Sequence, residues 1–213
     1  MFNKIHLILA FFVLASSCQR GASNEVTIGK QIWMAENLNV DKFRNGDPIP
    51  EAKTTEEWQT MGEQNKAAWC YYDSDPANGI KYGKLYNWYA VADPRGLCPA
   101  GWHVPSDGEW TQLTKTLGGD SDAGSKMKSA SGWSDGGNDG GNGTNSSGFS
   151  GLPGGNRTNN GSYNFIGNYG YWWSSTQNST SLAWLRYLND ANGNVLRFSL
   201  TKSCGFSVRC VRD

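Results

Sequence analysis

The chain has 213 residues, of which 38% are hydrophobic, and 19 Lys+Arg balance 19 Asp+Glu to a formal net charge of zero at pH 7. That length suffices for one domain with a sizeable core. Without a basic run or stripe the composition argues against a nucleic-acid partner, and past the amino terminus no apolar segment is long enough to span a bilayer.

The first element is an export signal over residues 1–17. "MFNKIHLILAFFVLASSC" places Lys4 ahead of an apolar run from Ile5 to Ala15, then Ser16, Ser17 and Cys18. The run is too short for a membrane span and reads as a removable signal. The stretch resembles a bacterial lipoprotein signal, which implies lipid on Cys18, although Ala15 stands where leucine is usual. Ordinary cleavage nearby is the alternative. Residues 18–25 then form a small polar tether.

From Val26, apolar residues at 26, 28, 32, 34 and 38 predict one or two strands around a turn at Gly29. "TTEEWQTMGE" supplies Thr54 and Glu57 at capping-box spacing, with Trp58 and Met61 on one face of a short helix. "DSDPANG", Asp73 to Gly79, is dense in oxygen ligands, as is 134–148, so calcium is a possible ligand. The spacing misses an EF-hand at Ala77, and the same residues are ordinary turn formers, which is the favoured reading.

The most explicit helix follows "CPAGWHVP". Ser106 and Glu109 form a second capping box, Trp110, Leu113 and Leu117 make one apolar stripe, and Gly118 supplies a left-handed stop. From Asp120 to Asn168 the chain turns to Gly, Asn, Ser and Asp. An extended loop system is expected there, pinned by Phe149, Leu152, Tyr163, Phe165 and Ile166. Three antiparallel strands are expected at the carboxyl end, with a hairpin at Asn192-Gly193. In its first arm Trp184, Arg186 and Leu188 share one face, Leu185 and Tyr187 the other.

Of five cysteines, Cys18 carries the expected lipid. Cys70, Cys98, Cys204 and Cys210 remain, which in an exported chain suggests two disulfides of three possible connectivities. No CxxC occurs, so a structural zinc site is poorly supported.

"IGKQIWMAENLNV", "RNGDPIP", "YGKLYNWYAV", "LCPAGWHVPSDGEWTQL", "GFSGLPGGNR", "GYWWSST" and "GFSVRCVRD", in that order, resemble the Fibrobacter succinogenes major paralogous domain of exported bacterial proteins. The resemblance runs from about Val26 to Asp213. That family is defined by sequence and implies no activity. "WHVPSDGEWTQL" with the distant "GFSVRCVRD" is also similar to formylglycine-generating and related sulfatase-modifying proteins. This second likeness implies an α+β, C-type-lectin-like fold, with one or two short helices on a small twisted antiparallel sheet and long loops held against it. Because that layout brings the helix start near the last strand, it implies a Cys98–Cys210 bridge, with Cys70–Cys204 as the leftover pair.

Catalysis needs a nucleophile, a base and a group to orient the base. His103, the sole histidine past the signal, could pair with Ser106 or Asp107, but a structural role is favoured. Formylglycine-type oxidation would need a copper-binding thiol pair, for which Cys204 and Cys210 are the candidates. Trp33, Trp88, Trp102, Trp110 and Trp133 read as core. Adjacent Trp172 and Trp173 must project to opposite strand faces. With one exposed, they would join Tyr171, Arg186, Tyr187, Asn189 and Arg197 in a ligand surface, whereas packing of both rings is the plainer reading. The expectation is a non-catalytic binding or adhesion module for glycan or peptide ligands. Tethered by lipid to the cell envelope, it would sit at the outer membrane on its periplasmic or exterior face. The alternatives are a sulfatase-modifying-type oxidase and a structural envelope protein without soluble ligand.

Overall fold

The computed structural model describes residues 24–136 and 140–213, and its first element is the expected hairpin. Strands β1 (Glu25–Ile28) and β2 (Gln31–Met34) pair antiparallel around Gly29, whose φ of 62° suits a residue without Cβ. The expected signal and Cys18 lie outside the described residues. The tether was expected to run through 25, but Glu25 already pairs with Met34 and its carboxylate meets Arg212, so the fold begins inside that stretch.

Helix α1 (Thr55–Glu63) starts on the expected box: the Glu57 amide donates to Thr54 Oγ1 at 3.1 Å, and the Thr54 amide donates to Glu57 Oε2 at 3.0 Å. Two otherwise orphaned amides are thereby satisfied. Next come β3 (Trp69–Cys70), a 3₁₀ turn at Tyr72–Ser74, α2 (Pro76–Tyr82), β4 (Leu85–Tyr86), α3 (Trp88–Val91) and β5 (Trp102–His103). "DSDPANG" is spent on turn and cap: Asp73 and Ser74 have φ of 54°, Asp75 accepts from the Ala77 amide, and Pro76 opens α2.

Helix α4 (Asp107–Thr116) has the second box, between Ser106 and Glu109, and buries Trp110 and Leu113. Gly118 follows at φ 108°. The segment expected to be loop alone contains α5 (Ala123–Met127), β6 (Gly154–Arg157) and β7 (Tyr163–Ile166). Strand β6, "GGNR", has no apolar alternation, yet all four residues are buried between β7 and β8. Its position in the sheet, rather than its own side chains, makes it a strand. Among the expected anchors Phe149 is buried, whereas Phe165 is exposed. Gly124 of α5 admits a close approach: a Cβ there would lie 2.4 Å from the Gly193 carbonyl oxygen.

Strands β8 (Tyr169–Gln177), β9 (Leu182–Asn189) and β10 (Leu196–Thr201) form the antiparallel meander. The β9–β10 hairpin is present, but not as a tight Asn-Gly turn. Residues 190–195 intervene, and the Asn189 side chain accepts from the amides of Ala191 and Asn192. Strand β11 (Val211–Arg212) leaves the meander to pair with β2 and β5. The result is α+β: a five-stranded sheet ordered β10-β9-β8-β6-β7, a four-stranded sheet β1-β2-β11-β5, and the β3-β4 pair.

Both faces of the five-stranded sheet are covered. On one side Trp172 and Leu188 pack with Trp33, Trp110 and Phe149; on the other Trp173 and Leu185 pack with Phe206 and Tyr86. Adjacent tryptophans therefore enter two cores, and neither ring reaches solvent. Of the tryptophans expected in the core, Trp33, Trp88, Trp110 and Trp133 are buried, while Trp102 is only half-buried beneath Arg212.

Candidate functional site

The Cys98–Cys210 bridge is formed, with a Cα–Cα distance of 6.2 Å. It joins the loop before β5 to the segment entering β11, and beside it His103 ties the same two regions. His103 Nδ1 meets Asp213 Oδ1 at 2.7 Å and Nε2 meets Glu109 Oε1 at 2.8 Å. Two ionised carboxylates can only accept, so the arrangement favours the imidazolium, in which both ring nitrogens donate. Burial opposes that charge, but the bonds to Asp213 and Glu109 prevail and raise the His103 pKa above its ordinary value. The expected partners Ser106 and Asp107 are engaged elsewhere: Ser106 Oγ donates to Glu109 Oε2, and Asp107 pairs with Arg186 and Arg197. With both nitrogens committed to carboxylates, this histidine has no lone pair for a proton and no nucleophile in hand.

Cys70 and Cys204 do not form the leftover bridge; each is a separate buried thiol. Burial pushes Cys70 up to about 11, partly offset by Arg157, and raises Cys204 as well, so neither is a ready thiolate. The copper pair proposed for oxidase chemistry is likewise unavailable, because Cys210 is bonded to Cys98. Among the described residues no group of three His, Cys, Asp or Glu could hold a metal ion.

Long polar loops are held by buried cations. Lys128 donates to the carbonyls of Gly141, Asn189 and Asn192 and lies over the Trp133 ring. Arg157 donates to those of Ala52, Thr54 and Gly161, between Trp58 and Tyr163. Lys84 reaches Asn39 over Trp69, and Lys202 reaches Gln177 and Thr180 over Trp88. Among the described residues no carboxylate stands within ion-pair distance of these four. Carbonyl dipoles and ring faces replace a counter-ion. The sequence reading missed this device; only Arg157 leaves a trace, as a lone charge in the glycine-rich stretch "GLPGGNRTNNG".

One aromatic series runs from the core into solvent. Phe206, Tyr171, Tyr187, Tyr169 and Phe165 follow one another at centroid spacings of 5.1, 5.5, 6.1 and 5.0 Å. Tyr169 and Tyr187 are half-buried and Phe165 is 51% exposed. Phe165 also has φ of 67°, a left-handed conformation that costs an aromatic residue energy and marks a position to be explained by use. On the same sheet face, edge strand β10 presents Phe198, 54% exposed, opposite Leu185.

A family model described as the Fibrobacter succinogenes major domain matches residues 26–212. The chain belongs to that family. No curated protein and no solved structure matches it.

In this Fibrobacter succinogenes major domain, the residues expected to bind ligand are divided. Trp172, Trp173, Tyr171, Arg186 and Asn189 are buried. Arg186 and Arg197 both grip Asp107, and Arg197 lies 3.4 Å from the Trp184 ring centroid. Tyr187 belongs to the aromatic series, but on the opposite sheet face from Arg197, since Arg197 pairs with Arg186 and Leu196 with Tyr187. Trp172 and Trp173 are both packed, as the plainer reading had it, and the conditional exposed tryptophan is not present. Period-two alternation separates the faces of a strand but does not show that both are roofed.

Proposed function

We propose that the protein is a non-catalytic binding or adhesion module of the cell envelope, tethered by lipid at Cys18, that takes glycan or peptide ligands on the strip of Phe165, Tyr169 and Tyr187. The observation that carries this reading is Phe165: an aromatic ring held outward on a strained backbone, at the end of a series of ring contacts continuous with the core. Ring faces of this kind stack on sugars or grip apolar peptide side chains, and a series anchored in a packed sheet loses little entropy on binding. The committed geometry of His103 and the buried thiols favour binding over catalysis.

The finer fold we propose is C-type-lectin-like. It is supported by β2 pairing with β11, which joins sequence-distant parts of the chain, and by α4 packed beside a small sheet with Ala123, Met127, Trp133 and Phe149 held against it.

Glycan and peptide arrays probed with wild type, Phe165→Ala and Tyr169→Ala test the function. At least tenfold weaker binding by both variants, with melting temperature little changed, is the expected result. No ligand on either array would favour the structural envelope role, and undiminished binding by the variants would remove the strip. Protease shaving of intact cells tests surface display.

A further inference from the structure

Two clefts, of about 390 and 380 Å³, share Asn24, Glu36, Asn37 and Asn39 and run together along the 35–40 segment. Ile80 and Leu152 wall one end, where Lys81 and Arg209 also line the cleft. Ile80 is 89% exposed, the most exposed large apolar side chain among the described residues. The aromatic strip contributes nothing to either cleft.

Arg209 differs from the other buried cations. It is 0% exposed; Nη1 donates to the Phe149 carbonyl and Nη2 to Asn37 Oδ1 at 2.7 Å, but Nε has no partner among the described residues. Among the described residues no carboxylate is within ion-pair distance, and Glu36, on the same cleft, is the acidic group it senses. A buried charge without a counter-ion is costly, and its field extends several ångströms in low dielectric. Lys81 adds a second cation on the cleft wall, its ammonium 4.8 Å from the Tyr82 ring and in no ion pair among the described residues. Asn37 cannot serve a ligand, because its amide is spent on Trp172, Arg209, Tyr82 and Ser207.

We propose that this cleft binds the oxyanion of a phosphate-bearing ligand, with the Lys81 ammonium and the Asn24 carboxamide as its direct contacts, Arg209 supplying positive field from beneath, and Ile80 flanking the ligand's apolar part. Glu36 opposes the anion and sets its affinity. The phosphate has two possible sources. Asn24 follows Cys18 by six residues, an extended reach of ~20 Å. If Cys18 carries lipid as in the functional proposal, Asn24 on the cleft is kept within ~20 Å of a headgroup layer; otherwise the ligand is soluble. The site itself does not depend on the aromatic strip.

The test is titration of the purified protein with inorganic phosphate, read by calorimetry and thermal shift, alongside flotation with phosphatidylglycerol and phosphatidylcholine vesicles. Expected are saturable phosphate binding or selective flotation with phosphatidylglycerol, at least fivefold weaker in Lys81→Gln and Arg209→Met, tighter in Glu36→Gln, and unchanged in Phe165→Ala. Phosphate binding without flotation assigns a soluble ligand, and flotation on phosphatidylglycerol assigns the headgroup. Should Arg209→Met not fold, the opposite responses of Lys81→Gln and Glu36→Gln still decide the matter. Absence of both interactions, or equal affinity in those two variants and wild type, overturns the proposal.

Discussion

His103 Nδ1 stands 2.7 Å from Asp213 Oδ1, tying the strand that leads into α4 to the exit of β11. Glu109 holds the other ring nitrogen, so both bonds are made together only while the imidazole is charged, a neutral ring keeping one N–H for one of the two. The folded-state pKa is raised above the ordinary 6.5 by these two carboxylates against opposition from burial. Such a group contributes its full stability below the unfolded imidazole value and loses it as pH rises through the folded value. Wild type should therefore lose stability on titration upward from pH 6.5, and His103→Gln should lack that component. The ring is over a third exposed, so about 1 kcal/mol or less is expected. Melting temperatures from pH 5.5 to 9 measure it; parallel curves for the two proteins would refute the link.

The Cys98–Cys210 bridge closes a sequence separation of 112 residues. In the chain-entropy view a loop of that length is worth about 4–5 kcal/mol. A Cys98→Ser/Cys210→Ser double variant should lose stability of that order in urea unfolding. Cys70 and Cys204 should stay inert to a thiol reagent in native protein and react once it is unfolded.

Lys128→Met keeps most of the side-chain volume but leaves two buried carbonyls, of Gly141 and Asn189, and the half-buried one of Asn192 without this donor. A loss of about 2–3 kcal/mol follows from leaving such groups unsatisfied. Hydrogen exchange should quicken in 140–143 and 189–195 before it does so in α4. Uniform protection in the variant would show that the ammonium does not hold those loops.

Trp172→Ala and Trp173→Ala should each cost about 3–5 kcal/mol, as large cavities in separate cores. Both are stability variants, so any ligand loss they show should track the unfolded fraction. Loss of binding at unchanged melting temperature would instead return one of these rings to a ligand surface.

Much of the local structure was legible. Thr54 with Glu57 and Ser106 with Glu109 each satisfy amides within three residues, so both helix starts were readable. The β1–β2 hairpin and the β8–β10 meander followed from alternation and turn residues. Strands β6 and β7 were not legible: "GGNR" becomes a strand through β7, a single parallel bridge to β8, and Arg157 reaching Ala52 across 105 residues. Counting cysteines likewise paired Cys70 with Cys204, although the fold puts them in different core clusters as separate thiols.

The sequence by itself determined family membership, the two capped helices and the strands whose side chains alternate, because each of those signals lies within a few neighbouring residues. Tertiary structure alone decided that both faces of β8 are covered, that Phe165 rather than Trp172 or Trp173 meets solvent, and that Arg209 lies without a counter-ion beneath a cleft. The physical reason is range. Roofing a strand, or leaving a buried cation unpartnered, depends on groups far away along the chain, as when Arg209 meets Asn37 across 172 positions.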